Sequence, residues 1–325
     1  MQPFARAALG VATAGAVGIG YASLVERNLF VVRRHTLPVL PPGSRSLRVV
    51  HVTDLHLMPG QRRKGEWIRG LAALEPDLVV NTGDNIAHPE SIGPLLRAFE
   101  PLLDVPGVFV MGSNDYFAPR LKNPARYLMT DHRRGSERAR RLPTERLIEG
   151  LTSAGWTELT NRRTRLTLGG SGGVGGVGGG ELEGVELEFV GVDDPHLDYD
   201  RLDLVAGPAA RDVALTVGVT HAPYQRVLDA MTIDGAGLVI AGHTHGGQLC
   251  LPLWGALVTN CDLDTRRAKG VSRWWPGAGS APSSQAPEGA AYLEVSAGLG
   301  TSPMAPVRFA CRPEASLLTL VPRDA

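Results

Sequence analysis

An α/β fold, with helices covering a largely buried sheet, is predicted by three features of this 325-residue chain. Short apolar, β-branched runs recur at 47–54, 77–84, 214–221 and 238–245. Each ends in Asp or His: Asp54 with His56, then Asp84, His221, and His243 with His245. Amphipathic patterns of helical period lie between the early runs. Alternating strands and helices build sheets with helices on their faces, and open α/β sheets place ligands at strand carboxyl ends. Acidic and imidazole groups delivered this way look like a two-metal hydrolytic centre.

The chain opens on different material. No charged residue occurs from Ala7 to Val25, a run close to the length needed to cross a bilayer, although Ala and Gly dominate it. The first strongly polar residues after it are Glu26 and Arg27, so residues 1–27 read as an uncleaved single-pass transmembrane anchor rather than a removed leader. Arg6 on one side and Arg27, Arg33 and Arg34 on the other leave its orientation open. Residues 28–325 read as one catalytic domain.

Within that domain, 29–40 reads as a strand followed by a Pro-rich turn. In the run Leu47 to His56, strand alternation directs Asp54 and His56 to one side. Residues 64–74 carry Trp67, Ile68, Leu71 and Leu74 at helical spacing. In the run Asp77 to Asp84, Gly83 permits a sharp turn that presents Asp84 at the strand tip, where one carboxylate can bridge two cations. A second helix is expected over 92–103, from Leu95, Leu96, Phe99 and Leu102. The apolar run at 108–111 then leads into Gly112-Ser113-Asn114-Asp115.

Residues 123–141, rich in Arg and poor in apolar pattern, read as an exposed loop beside that glycine turn. Residues 169–180 are almost entirely glycine and read as a flexible hairpin tip between strands at 165–168 and 185–190. No helix follows, so this is not a phosphate loop. Residues 272–289 look irregular, and a strand is expected at 291–296. His51 reads as a packed strand histidine, and His35 and His132 as solvated. Cys250, Cys261 and Cys311 form neither a metal spacing nor an obvious disulfide framework, and Cys250 reads as strand packing.

Each motif is weak alone: a His-x-His pair is commonly a surface or core pair, and Gly-Asp is commonly a turn. Their joint order resembles the calcineurin-like metallophosphoesterase superfamily, whose signature runs Asp-x-His, Gly-Asp, Gly-Asn-His-Asp/Glu, His, Gly-His-x-His. The resemblance covers about residues 47–310. The segments 242–248, 298–302 and 306–309 look most like its branch of membrane-associated or exported bacterial phosphoesterases. It implies a four-layer α/β/β/α sandwich and two divalent ions, with manganese, iron or zinc suiting mixed carboxylate and imidazole donors. By the same resemblance Asp54, His56 and His245 hold one ion, Asn114, His221 and His243 the other, and Asp84 is shared.

One departure matters. In strict register Ser113 replaces the family's amide ligand and Asn114 replaces its histidine. Because an amide oxygen is a better donor to a hard cation than a hydroxyl, Asn114 is expected to bind metal and touch substrate. The histidine acid is then missing, which favours a good leaving group or an acid supplied by His88 or His196. Asp115 is expected to orient a ligand or attacking group, and Arg308 to contact substrate.

Two neighbouring cations acidify water and stabilise the attacking and leaving oxygens of an in-line displacement. With Asp84, Asn114 and Asp115 as catalytic residues, the expected function is a membrane-tethered phosphoesterase acting on a phosphodiester or lipid-linked phosphate. The alternatives are a pyrophosphatase acting on a nucleotide-linked lipid and a degenerate protein-binding scaffold. A formal net charge of zero argues against a nucleic-acid partner held by a basic surface.

Overall fold

The computed structural model describes residues 12–13, 15–120, 140–169 and 184–323. His132, most of the Arg-rich stretch and the glycine tip at 170–183 lie outside the described residues.

Fourteen strands are described: β1 (Val31–Leu40), β2 (Leu47–Val52), β3 (Leu78–Asn81), β4 (Gly107–Phe109), β5 (Thr157–Glu158), β6 (Arg162–Leu168), β7 (Val185–Gly191), β8 (Leu215–Thr220), β9 (Leu238–Ala241), β10 (Cys250–Leu251), β11 (Gly255–Ala256), β12 (Gly270–Trp274), β13 (Ala291–Val295) and β14 (Glu314–Pro322). They form two six-stranded sheets, ordered β1-β14-β2-β3-β4-β5 and β12-β13-β9-β8-β7-β6, and a small β10-β11 hairpin. The inner strands of both sheets run parallel, with antiparallel pairs at β14/β2, β12/β13 and β6/β7.

Helices α1 (Arg62–Arg69), α2 (Ile92–Leu103) and α3 (Thr144–Ser153) belong to the first half of the chain, and α4 (Gln225–Ile233) to the second. The hydrophobic clusters define the layers. Val49, Val80, Val108 and Leu318 of the first sheet pack directly on Phe189, Val217, Leu238 and Ile240 of the second. The outer face of the first sheet, through Val50, Val79 and Phe109, meets Ile68, Leu95, Phe99 and Leu147 of the helices. That of the second, through Val190, Val239 and Leu293, meets Val227, Leu228 and Met231 of α4. This is the α/β/β/α sandwich. Both faces of its central strands are covered, which is why they read as continuous apolar runs instead of alternating ones.

Helix α2 shows how local sequence serves this packing. Leu95, Ala98, Phe99 and Leu102 form its buried stripe. Pro101 lacks the N–H that would bond the Arg97 carbonyl, and Arg69 of α1 donates to that carbonyl instead.

Two expectations need correction. Part of the stretch expected to be irregular, 272–274, belongs to β12, an edge strand paired antiparallel with β13. The N-terminal segment also differs. Among the described residues no helix is long and apolar enough to cross a membrane. A π-helical stretch (Tyr21–Val25) and a 3₁₀ turn (Glu26–Asn28) instead attach to the domain, and residues 1–11, where the expected anchor begins, lie outside the described residues. Glu26 is buried and accepts from the Cys311 N–H at 2.7 Å, and the Ala22 carbonyl accepts from the Arg308 N–H at 3.1 Å.

Candidate metal centre

The metal-capable residues sit where the carboxyl ends of the two sheets meet. Strands β2, β3 and β4 lead to Asp54 and His56, Asp84, and Asn114. Strands β8 and β9 lead to His221 and to His243 with His245. Backbone geometry corrects the simple pleat argument: β2 ends at Val52, and Asp54 and His56 both adopt left-handed φ, at 51° and 42°. Asp84, His243 and His245 do likewise, at 55°, 69° and 50°. Such backbone costs about 1–3 kcal/mol per residue and concentrates at functional sites. It turns successive side chains into one small volume that strand alternation would not reach.

Close approach of two glycines makes room for the turn. A β-carbon on Gly83, itself at φ 91°, would lie 2.7 Å from the Met111 carbonyl carbon, and one on Gly112 would lie 2.7 Å from both the Asp84 nitrogen and His221 Cε1. Asp115 clamps the same junction. Its buried carboxylate accepts from the Asn85 N–H at 2.8 Å and the Gly112 N–H at 3.1 Å, so it orients the Asp84 loop instead of facing the cleft. Burial, with Asp84 nearby, raises its pKa to about 7.

Two groups of three side chains offer ligand atoms that all lie within 4.8 Å of one another: Asp54, His56 and His245, and Asp54, Asp84 and His221. Asp84 lies between the two imidazoles His56 and His221, at 3.4 and 3.6 Å. His243 is outside both groups, with its Nδ1 3.3 Å from His221 Nε2. Asn114 is placed against Asp84, donating to it from its backbone N–H and from Nδ2, each at 2.7 Å.

The outward contacts of the imidazoles establish their tautomers. His221 Nδ1 meets the Thr82 carbonyl at 2.7 Å, His243 Nε2 the Asn260 carbonyl at 3.1 Å, and His245 Nδ1 the Gly300 carbonyl at 3.2 Å. A carbonyl accepts only, so each of these nitrogens carries a hydrogen and the other faces inward. This is how metal-binding histidines are oriented. Inside, His56 Nε2 and His245 Nε2 are 3.1 Å apart, and Asp54 Oδ1 has no hydrogen-bond partner. Facing lone pairs at that distance repel unless a proton or cation lies between them.

The electrostatics agree. Burial drives His56 down to about 4 and holds His243 and His245 well below the usual imidazole range. Burial also lifts Asp54 to about 6. Burial would raise Asp84 too, but His221 and His56 outweigh it and hold the carboxyl near 2. For His221 burial opposes protonation, yet Asp84, Asp194 and Asp54 pull its pKa up to about 9. Unprotonated imidazoles beside an ionised Asp84 are a donor set that fits divalent cations.

Other expected residues fall elsewhere. Arg308 is not a substrate contact: it is fully buried and donates from Nη2 to the carbonyls of Ala297, Gly298 and Gly300 at 2.6, 3.0 and 2.7 Å. It thereby holds the loop whose Gly300 carbonyl orients His245. Cys250 and Cys311 pack beneath the same loop as free thiols. His51 is buried, bonded to Glu294 at 2.7 Å and Thr82 at 2.8 Å, and His35 is half-buried on β1. His88 caps the Pro89–Ser91 turn through Nδ1, away from the cleft, whereas His196 lines the cleft with its ring 4.7 Å from that of His243.

Sequence reasoning missed Asp194. Its carboxylate is buried, keeps Oδ2 without a partner and biases His221, but follows β7 in an Asp-Asp pair that carries no motif.

The covered sheets and this side-chain set define a metal-binding hydrolase centre. The chain matches the calcineurin-like phosphoesterase family over residues 47–247 and belongs to it. It is 25% identical to the metallophosphoesterase YkuE of Bacillus subtilis, across 98% of this chain and 94% of that one. It is 23% identical to phosphodiesterase YaeI of Escherichia coli, across 94% and 93%. Over 28% of this chain and 21% of the other, it is 32% identical to a bovine transmembrane protein with a metallophosphoesterase domain. The chain is thus a hydrolase of phosphate esters.

Proposed function

We propose that this hydrolase is a phosphodiesterase whose substrate is a lipid-linked phosphate. The cleft above the metal centre carries this reading. Its volume is about 600 Å³, with Asp84, Asn114, His243 and His245 on its floor and Leu249, Leu257, Met304 and Val307 on its wall. A charged phosphorus centre and an apolar ester arm therefore have adjoining seats. Among the described lining residues Arg120 is the only Lys or Arg, which suits the single charge of a diester better than the two of a monoester. The phosphodiesterase name of the Escherichia coli relative and the transmembrane description of the bovine one support the reading.

Divalent cations, when bound, supply Lewis acidity and lower the pKa of water toward neutrality. The residues fitted to hold them are Asp54, His56 and His245 on one side, and Asn114, His221 and His243 on the other, with Asp84 between. The chain does the positioning. Outward N–H groups hold three imidazoles in place, and Asn114 restrains the Asp84 carboxylate while lining the cleft. No histidine occurs at 113–115 to meet the departing oxygen. His196, steadied by Tyr224 Oη at 3.0 Å from its Nδ1, stands closest to that role.

Turnover by the full chain with added manganese, on bis(nitrophenyl) phosphate, nitrophenyl phosphate and pyrophosphate, tests the proposal. The diester should be cleaved fastest. A faster monoester or pyrophosphate would replace the diester reading, and bound metal without any turnover would favour a scaffold.

A further inference from the structure

The hairpin β10–β11 holds strained backbone and large apolar side chains that the described residues leave largely uncovered. Its turn holds Leu253 in left-handed backbone, φ 69°, and leaves that side chain wholly exposed, beside Trp254 at 81% exposure. A leucine rarely adopts this backbone, and a contiguous exposed apolar patch marks an interaction surface. Leu249, Leu251 and Leu257 extend the patch at 45–50% exposure, and Leu249 and Leu257 also line the cleft. The patch and the mouth of the active site are continuous.

The charge pattern says what covers it. No Asp, Glu, Lys or Arg occurs from Gly246 to Cys261 or from Val295 to Val307, the segments that form this wall. The uncharged N-terminal run ends on the same wall. Phe309 is bridged to Leu249, and the Tyr21 ring meets Phe309 edge-on with centroids 6.5 Å apart. Ile19 and Leu24 remain exposed beside it, at 65% and 72%. A protein partner of the usual kind would meet an apolar core ringed by a polar rim. Tryptophan and leucine without charge, next to the exposed Ile19 and Leu24 of an uncharged segment, match the boundary between lipid headgroups and acyl chains.

We propose that the hairpin Cys250–Ala256 seats Leu253 and Trp254 in a lipid bilayer, holding the cleft mouth against the membrane so that membrane-embedded phosphodiesters enter directly. The docking stands on geometry alone, and only the substrate rests on the phosphodiesterase reading.

Trp254 is the one exposed member of the five tryptophans, so it can be read by fluorescence. The full chain is mixed with phosphatidylglycerol–phosphatidylcholine vesicles with and without brominated acyl chains. Brominated lipid should quench part of the emission, and Trp254→Phe should remove that quenched part. In a second arm, Leu253→Asp should slow cleavage of a vesicle-embedded diester about tenfold and leave soluble bis(nitrophenyl) phosphate unchanged. A chain that stays off the vesicles, or a bound chain whose Trp254 is unquenched, overturns the docking; the latter points to a protein partner. An equal loss of both rates also overturns it. Quenching without turnover on any ester sinks the phosphodiesterase reading and leaves the docking standing.

Discussion

The two sheets bring unlike chemistry to one centre. The first brings the carboxylates Asp54 and Asp84, the amide of Asn114 beside Asp84 and the single imidazole His56; the second brings only imidazoles, His221, His243 and His245. Both groups of three ligands draw on both sheets. Neither half of the chain therefore holds a site by itself, and the register between sheets becomes part of the chemistry. A buried polar chain beneath the site spans that interface: Thr82 and His51 on the first sheet, Glu294 on the second, and Ser316 back on the first, with links of 2.8, 2.7 and 2.6 Å. Beside it, the His243 N–H of the second sheet donates to Asp54 of the first at 2.9 Å.

The comparison breaks most sharply at the ligands. Asp84→Ala should strip nearly all metal, because that carboxylate stands between the two sides, against both His56 and His221. His221→Ala should leave about one of about two ions. Both should lower turnover by more than about a hundredfold, since even outer-partner losses reach that range. Metal analysis beside kinetics checks this, and equal metal loss from the two variants would end the claim that the sheets play different parts.

Next in size, Asn114→Ala should cost about ten- to a hundredfold in activity and lose more metal than Ser113→Ala. The opposite ranking would move the oxygen donor of the first sheet to Ser113. The inter-sheet link comes third. His51→Ala leaves Glu294 buried with one partner fewer and should cost about 1–3 kcal/mol, read as a lower midpoint in urea. A variant of unchanged stability would show that apolar packing alone sets the register.

The smallest effect is on β7, one strand in from the edge of the second sheet. Burial would raise the Glu188 pKa, but the Ala210 N–H, the Thr216 hydroxyl and Arg163 outweigh it and hold the carboxyl below the usual range. Its contribution is therefore present above the unfolded-state pKa and is lost as pH falls through the folded one. Glu188→Gln should cost about 1 kcal/mol or less at neutral pH. The gap to the wild type should close in acid, and a gap that widens there would reverse the sign assigned to this group.

Much of the fold was legible because its signals are local. Helix α2 spans the same residues, 92–103, that the spacing of Leu95, Leu96, Phe99 and Leu102 indicates. The apolar runs before Asp54, Asp84, His221 and His243 are strands because their residues are buried on both faces. Strand β12 was hidden, since its partner β13 lies beyond an intervening excursion rich in Trp, Pro and Gly. Arg308 was misread for a related reason: a cation beside a loop suggests an anion, until the fold surrounds it with backbone carbonyls.

Residue chemistry, order and spacing by themselves determined the ligand types, the strand ends that carry them and the family. Periodicity and donor chemistry are written along the chain and need no long-range contact. Tertiary structure alone decided that Asp54 and His56 converge through left-handed turns, that carbonyls from distant loops orient His221, His243 and His245, and that an uncharged hairpin borders the cleft. These depend on groups up to 189 residues apart, such as His56 and His245, which meet only when burial of the inter-sheet core brings both sheets into register.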